Sequence, residues 1–140
     1  MPDLHDLSPA AAYALLQTNP RSLLVDIRSS MEYLFVGHPV GSVHIAWIDE
    51  PDWEENPNFS AEVHSLLANR FKDSDPKQDA TVVLICRSGK RSREAANALL
   101  EAGFQHITHI DEGFEGERDD DHHRGTLGGW RFHGLPWEQC

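Results

Sequence analysis

The chain lacks any apolar run that approaches the length of a membrane span. Cysteine is scarce: two in 140 residues are too few for a disulfide framework. Basic residues are in the minority, 12 Lys and Arg against 23 Asp and Glu, which leaves a formal net charge of −11. That sign argues against nonspecific nucleic-acid binding and against attraction to anionic membranes. An anionic ligand must therefore be drawn in by a local positive patch. Residues 1–7 carry neither a basic start nor an apolar stretch, so no secretory signal is read there, and a reducing cytoplasm with free thiols is the expected setting. Internal repeats and linkers are also missing. With 39% hydrophobic and 25% charged residues, the expectation is one folded domain over residues 1–140.

What is present reads as strands alternating with helices. Ser8 followed by Pro9 is an N-cap with proline at the first helical position, opening a helix over 10–17. Residues 23–26 form a short apolar run with the pattern of a buried strand, 31–35 a single helical turn, and 43–46 another short strand. Ser60 is placed to cap a helix through residue 69, with Val63, Leu66 and Leu67 on its apolar side. The run 81–85 is the clearest strand and 92–102 the clearest helix, with Ala95, Ala96, Leu99 and Leu100 as its stripe and Gly103 just past its end. A further strand is expected at 107–110, and 115–129 is a polar, acidic, glycine-rich surface loop. Such alternation predicts an α/β fold with a parallel sheet covered on both faces, whose ligands sit beyond the carboxyl ends of the strands.

Cys86 stands at such an end. The segment 81–92 reads Thr-Val-Val-Leu-Ile-Cys-Arg-Ser-Gly-Lys-Arg-Ser, a β-branched strand running into a short cationic loop and then a helix. Arg87, Lys90 and Arg91 bring positive charge. The helix directs its positive dipole end at the loop, and Gly89 permits the tight curvature in which consecutive amides form an anion nest. Together these favour the thiolate, the nucleophilic form of cysteine. A buried structural cysteine is the plainer alternative, but three cations and a glycine in one strand-to-helix turn speak for function. Four residues separate Cys86 from Arg91. Cysteine-dependent phosphatases carry five in the comparable loop, and the smaller ring suits one extra sulfur atom better than a phosphoryl group.

At Cys86–Ser92 the sequence resembles the active-site loop of the rhodanese family of sulfurtransferases. Asp26-Ile27-Arg28, Glu32-Tyr33 and Gly37-His38 through Val43-His44-Ile45 are similar to that family's amino-terminal signature. Gly103-Phe104, Gly113-Phe114 and Trp130 through Gly134-Leu135-Pro136-Trp137 are similar to its carboxyl-terminal one. The resemblance implies a single rhodanese domain with a core over about 8–137, a polar insertion at 115–129, and a central parallel sheet of about five strands with helices on both faces. The first signature is spaced differently around Gly37 to Gly41, and residues 117–128 look inserted before the final tryptophan motif, where they bear on access to the site.

The resemblance also implies a two-step reaction. Cys86 attacks the sulfane sulfur of a small anionic donor, thiosulfate or a low-molecular-weight persulfide, and becomes a persulfide itself. Cyanide, a thiol or a small sulfur-carrier protein then accepts that sulfur. Arg87, Ser88, Gly89, Lys90, Arg91 and Ser92 are the expected binding residues. Ser88, Gly89 and Ser92 would act through their amides, with Ser92 also a helix cap, Arg87 would steer the donor and Arg91 would brace the loop against a carboxylate. No metal or organic cofactor is needed. The alternatives are a persulfide relay or docking module with little small-molecule turnover, and a cysteine phosphatase or arsenate reductase. The reading requires the loop N–H groups to point at the sulfur, and the sulfur to be open to solvent.

Other residues have plainer roles. Asp26, Arg28 and Glu32 read as a structural brace in which carboxylates hold Arg28. The nine histidines lack recognisable metal-ligand spacing, and residues 119–121 lack the alternation of a calcium loop. Trp47, Trp53, Trp130 and Trp137 are core or rim residues, one or two of them walls of a pocket. Cys140 is expected to be frayed and exposed, with a resolving thiol as its functional alternative.

Overall fold

A computed structural model of the chain describes residues 3–72 and 75–139. Cys140 lies outside them. In chain order the elements are β1 Asp3–Leu7, α1 Pro9–Thr18, β2 Ser22–Asp26, a π-helical turn Glu32–Val36, β3 His38–Pro39, β4 Val43–His44, β5 Ile48–Asp49, β6 Glu54–Glu55, α2 Phe59–Arg70, α3 Pro76–Asp79, β7 Thr81–Ile85, α4 Lys90–Glu101, β8 His106–Ile110 and β9 Trp137–Glu138. Five strands form one parallel sheet in the order β1-β8-β7-β2-β4, and β3-β9 and β5-β6 are separate two-stranded ribbons.

Strand periodicity divides the core into two layers. Leu23, Val25, Val82, Leu84 and Ile107 point to one face and pack with Phe59, Val63 and Leu67 of α2 and Ala95, Ala96 and Leu99 of α4. Leu24, Val83, Ile85 and Ile110 point to the other and meet Ala12 of α1, Phe114 and Trp130. Helices thus cover both faces, as the alternation of elements requires. Ser8 caps α1 by accepting from the Ala11 N–H at 3.2 Å, and Gly103 follows α4 with a positive φ of 100°.

Several elements depart from expectation. β1 was unforeseen because Asp-Leu-His-Asp-Leu carries little apolar signal. It is an edge strand, with its ladder to β8 on one side only. Asn58 stands at the N-cap position of α2 without a side-chain capping hydrogen bond, which leaves Ser60 inside the helix rather than at its cap. α4 begins at Lys90, two residues before Ser92, because Gly89 makes the turn at φ 101° and serves as N-cap position. Short α3 was also missed. Asp75 caps it by accepting from the Lys77 N–H at 3.1 Å, and Pro76 opens it.

Two ion pairs tie the loops beyond the sheet to its carboxyl edge. Arg28 is fully buried and holds the Asp26 carboxylate through Nε at 2.9 Å and Nη2 at 2.7 Å, while its guanidinium lies 4.4 Å over the Phe114 ring. Nη2 also donates to the Gly37 carbonyl. Glu32 does not join this brace. It forms a two-pronged pair with Arg91 of α4, at 2.9 and 3.0 Å. Burial alone would raise the Glu32 carboxyl, but the hydrogen bonds and charge of Arg91 outweigh it and hold Glu32 at about 2.

Arg28→Met leaves Asp26 buried and unpaired, so denaturant unfolding should show a loss of about 3–5 kcal/mol; a loss below about 1 kcal/mol would remove the brace from the account. The stabilisation from Glu32 is present above its ordinary carboxylate range and is lost as pH falls from there toward about 2. Glu32→Gln should therefore flatten the decline in melting temperature across that acid window. An acid limb identical to the wild type's contradicts this.

Candidate active site around Cys86

β7 ends at Ile85, so Cys86 is the first residue beyond the central part of the sheet, and α4 begins four residues later. The loop is clamped from outside. The N–H of Phe114 donates to the Cys86 carbonyl at 2.8 Å, and those of Glu115 and Gly116 donate to the Arg87 carbonyl at 2.9 and 3.1 Å. The approach is close enough to demand glycine at two positions. A Cβ on Gly113 would lie 2.5 Å from the Arg87 backbone, and one on Gly89 would lie 2.2 Å from the Asp111 carbonyl oxygen.

This clamp holds a donor set on the sulfur. The N–H of Gly89 points at Cys86 Sγ from 3.1 Å and that of Ser92 from 3.3 Å, and the Cys86 thiol in turn donates to the Ser92 hydroxyl oxygen at 3.4 Å. The Ser92 N–H is one of the first-turn donors that an α-helix leaves without an internal partner. Ser92 therefore serves the sulfur from within the first turn of α4 rather than as its cap. The second requirement drawn from the sequence is not met in this structure: Cys86 is only 1% exposed, at the floor of the loop rather than on its rim.

The other loop residues divide by exposure. Arg87 and Lys90 are exposed and Ser88 is half-buried. Arg91 turns inward onto Glu32, as a brace. Beside the loop, Arg87 and Arg91 line a cavity of about 470 Å³ together with Met31, Glu32, Ile48 and Trp53. Trp53 is 58% exposed and is the tryptophan that walls this cavity. Trp47 and Trp130 are core residues, the latter donating to the Pro136 carbonyl at 2.7 Å, and Trp137 packs edge-on against Phe114.

The histidines serve local structure. His38 stacks on Tyr33 with ring centroids 3.8 Å apart, His44 bonds the Arg28 carbonyl at 2.7 Å, and His133 lies 2.8 Å from Glu112. His109 stands apart: it is buried directly behind Ser92, with Nδ1 2.7 Å from the hydroxyl. Sequence reasoning did not single it out for this, since its only signal was a polar residue inside the apolar run of β8.

The segment 115–129 is a surface loop with internal order. Asp119 accepts from the N–H groups of Asp121 and His123 and from the Thr126 hydroxyl, and Arg124 donates to the Gly116 carbonyl at 2.6 Å. Its first two residues are the ones that clamp Arg87, so this loop is joined directly to the site. No helix among the described residues is long and apolar enough to cross a membrane.

Comparison with known proteins agrees with this geometry. The crystal structure of Rv0390 from M. tuberculosis superposes with a TM-score of 0.80 at 37% identity, covering 100% of both chains. The thiosulfate sulfurtransferase GlpE of Actinobacillus pleuropneumoniae is 27% identical over 95% of this chain and 92% of its own. A Rhodopseudomonas palustris protein, RPA3614, described as a possible tyrosine phosphatase, superposes with a TM-score of 0.57 at 25% identity, covering 96% of this chain and 85% of its own. The profile of the rhodanese-like domain matches residues 8–119, most of the chain, and takes in strands β2, β4, β7 and β8 of the central sheet, the Cys86 loop and its clamp. The chain belongs to the rhodanese-like family.

Proposed function

We propose that the protein is a sulfurtransferase that carries sulfane sulfur on Cys86. The convergence of the Gly89 and Ser92 N–H groups on the sulfur is the observation that carries this reading. It stabilises negative charge on the thiolate that attacks and on the leaving thiolate that re-forms. Preorganised donors of this kind are worth about 3 kcal/mol of barrier each in comparable oxyanion sites.

The donor is thiosulfate or a low-molecular-weight persulfide. Its terminal sulfur bonds to Cys86 as the bond to the donor's remainder breaks, and that remainder leaves with the electron pair. Cyanide, a thiol or a small sulfur-carrier protein then takes the outer sulfur and releases the Cys86 thiolate. Exposed Arg87 attracts the anion to the rim, which matters on a chain with net charge −11. The protein's own groups suffice, with no cofactor, and a reducing cytoplasm would keep Cys86 free.

A phosphatase is the second reading, favoured by the likeness to RPA3614. The four-residue spacing from Cys86 to Arg91 and the engagement of Arg91 with Glu32 both count against it, because a phosphate-binding arginine must face the ligand.

Incubation with thiosulfate and, separately, with glutathione persulfide should add the mass of one sulfur atom to the Cys86 peptide with at least one of the two. Cys86→Ser should lose both this adduct and all turnover. Turnover by that variant, or no adduct with either donor, refutes the transfer reading, and brisk hydrolysis of an aryl phosphate would establish the second. Adduct without cyanide turnover would mark a relay. Arg87→Ala should raise the KM for thiosulfate about tenfold, the size of one solvated charge contact, with kcat little changed; an unchanged KM removes the steering role.

A further inference from the structure

Behind Cys86 runs a buried polar chain that the transfer steps above do not use. Ser92 Oγ lies 3.4 Å from Cys86 Sγ and 2.7 Å from His109 Nδ1. Ser92 is 0% exposed and His109 1%. The other ring nitrogen, Nε2, is 3.1 Å from Asp6 Oδ1 but off-line for a hydrogen bond, and Asp6 Oδ2 accepts from Arg93 at 2.7 Å. Four elements meet here: the end of β7, the first turn of α4, β8 and β1. The Ser92 hydroxyl has one proton and three acceptors within reach, namely the sulfur, Nδ1 and the Gly89 carbonyl at 3.3 Å.

Two proton arrangements satisfy this chain. In the first, His109 is neutral with its proton on Nε2, facing the Asp6 carboxylate. The Ser92 hydroxyl donates to Nδ1, and the Cys86 thiol donates to Ser92 Oγ. In the second, His109 is an imidazolium. Its Nδ1–H donates to Ser92 Oγ, and the Ser92 hydroxyl donates to a Cys86 thiolate. Passage from first to second breaks the S–H bond as an O–H bond forms on Ser92, and breaks the original Ser92 O–H bond as an N–H bond forms on Nδ1. Nothing is oxidised or reduced, and the net charge of the three groups stays at zero. The remaining neutral tautomer would set the bare lone pair of Nε2 against Asp6, an unfavourable contact.

We propose that His109 is a positioning residue for the sulfur: it takes the Cys86 proton through the Ser92 hydroxyl and so turns that hydroxyl toward the thiolate. The proposal rests on the reading of Cys86 as the nucleophile. The charged groups facing the imidazole are Asp6 from β1, Arg93 from α4 and Asp111 just past β8. Burial pushes His109 below the usual histidine range; Asp6 and Asp111 pull it back up, and Arg93 adds to the lowering. Burial thus favours the neutral ring, and the carboxylates of Asp6 and Asp111 are the groups that support the imidazolium of the second arrangement.

The test is the rate at which iodoacetamide alkylates Cys86 from about pH 5 to about pH 9, a range that brackets histidine titration. It is read by mass spectrometry on the Cys86 peptide so that Cys140 does not contribute. His109→Asn retains a polar partner near the Nδ1 position and cannot take the proton. It should slow alkylation near neutral pH at least about tenfold, toward the lower range of general-base effects, and remove an inflection from the profile. Adding Ser92→Ala should slow the reaction no further, because both changes break one path. A folded His109→Asn protein with the wild-type rate and profile overturns the proposal, as does full additivity. If His109→Asn does not fold, nitrogen-15 NMR of the imidazole in the wild-type protein decides. Alkylation of Cys86 should move the His109 titration, and an unmoved titration overturns the relay. Alkylation needs no sulfur donor, so the relay can stand where persulfide formation fails, and can fail where persulfide forms.

Discussion

The sulfur of Cys86 is held by donors from two different parts of one turn, the N–H of Gly89 and the N–H of Ser92, and its thiol faces the Ser92 hydroxyl oxygen. That convergence requires the chain to leave β7, reverse at a positive φ and enter α4 within four residues. Much of the surrounding architecture secures that reversal. The parallel sheet fixes where β7 ends. Packing of Ala95, Ala96 and Leu99 onto the sheet fixes where α4 starts. The segment Asp111–Gly116 presses on the loop from outside, at distances that leave no room for a side chain on Gly113 or Gly89.

Positive charge is distributed over this site by role rather than by number. Arg28 is consumed in the core by Asp26 and the Phe114 face, and Arg91 by Glu32. Both act as fasteners between the loops beyond the sheet and its strands. Arg87 and Lys90 remain exposed, so the local field that an anion meets comes from them and from the first turn of α4. A chain with an excess of carboxylates thereby keeps a small positive rim over one buried sulfur.

The strands β2, β7 and β8 and the helices α1, α2 and α4 could be read from periodicity and caps because each buries a continuous apolar face. Edge strand β1 could not, since its formation depends on the ladder to β8 rather than on its own apolar pattern. The start of α4 lies two residues before the serine that looks like its cap, because a left-handed glycine makes the turn. Among the site residues, Cys86 and its loop were visible as a run of residue types in order. The pairing of Arg28 with Asp26 is legible because the two are neighbours in sequence, whereas Glu32 reads as a partner of nearby Arg28 and instead pairs with distant Arg91, which only three-dimensional packing assigns.

The order of residues from Thr81 to Ser92 was enough to place a thiol at a strand end inside a cationic turn, since strand, turn and helix signals are all local. What required the tertiary structure was everything contributed from a distance: the clamp of residues 113–116, the burial of the sulfur, and the line from Ser92 to His109 to Asp6. Those contacts join residues that are far apart along the chain. They depend on which strands become neighbours in the sheet, and no local pattern encodes that order.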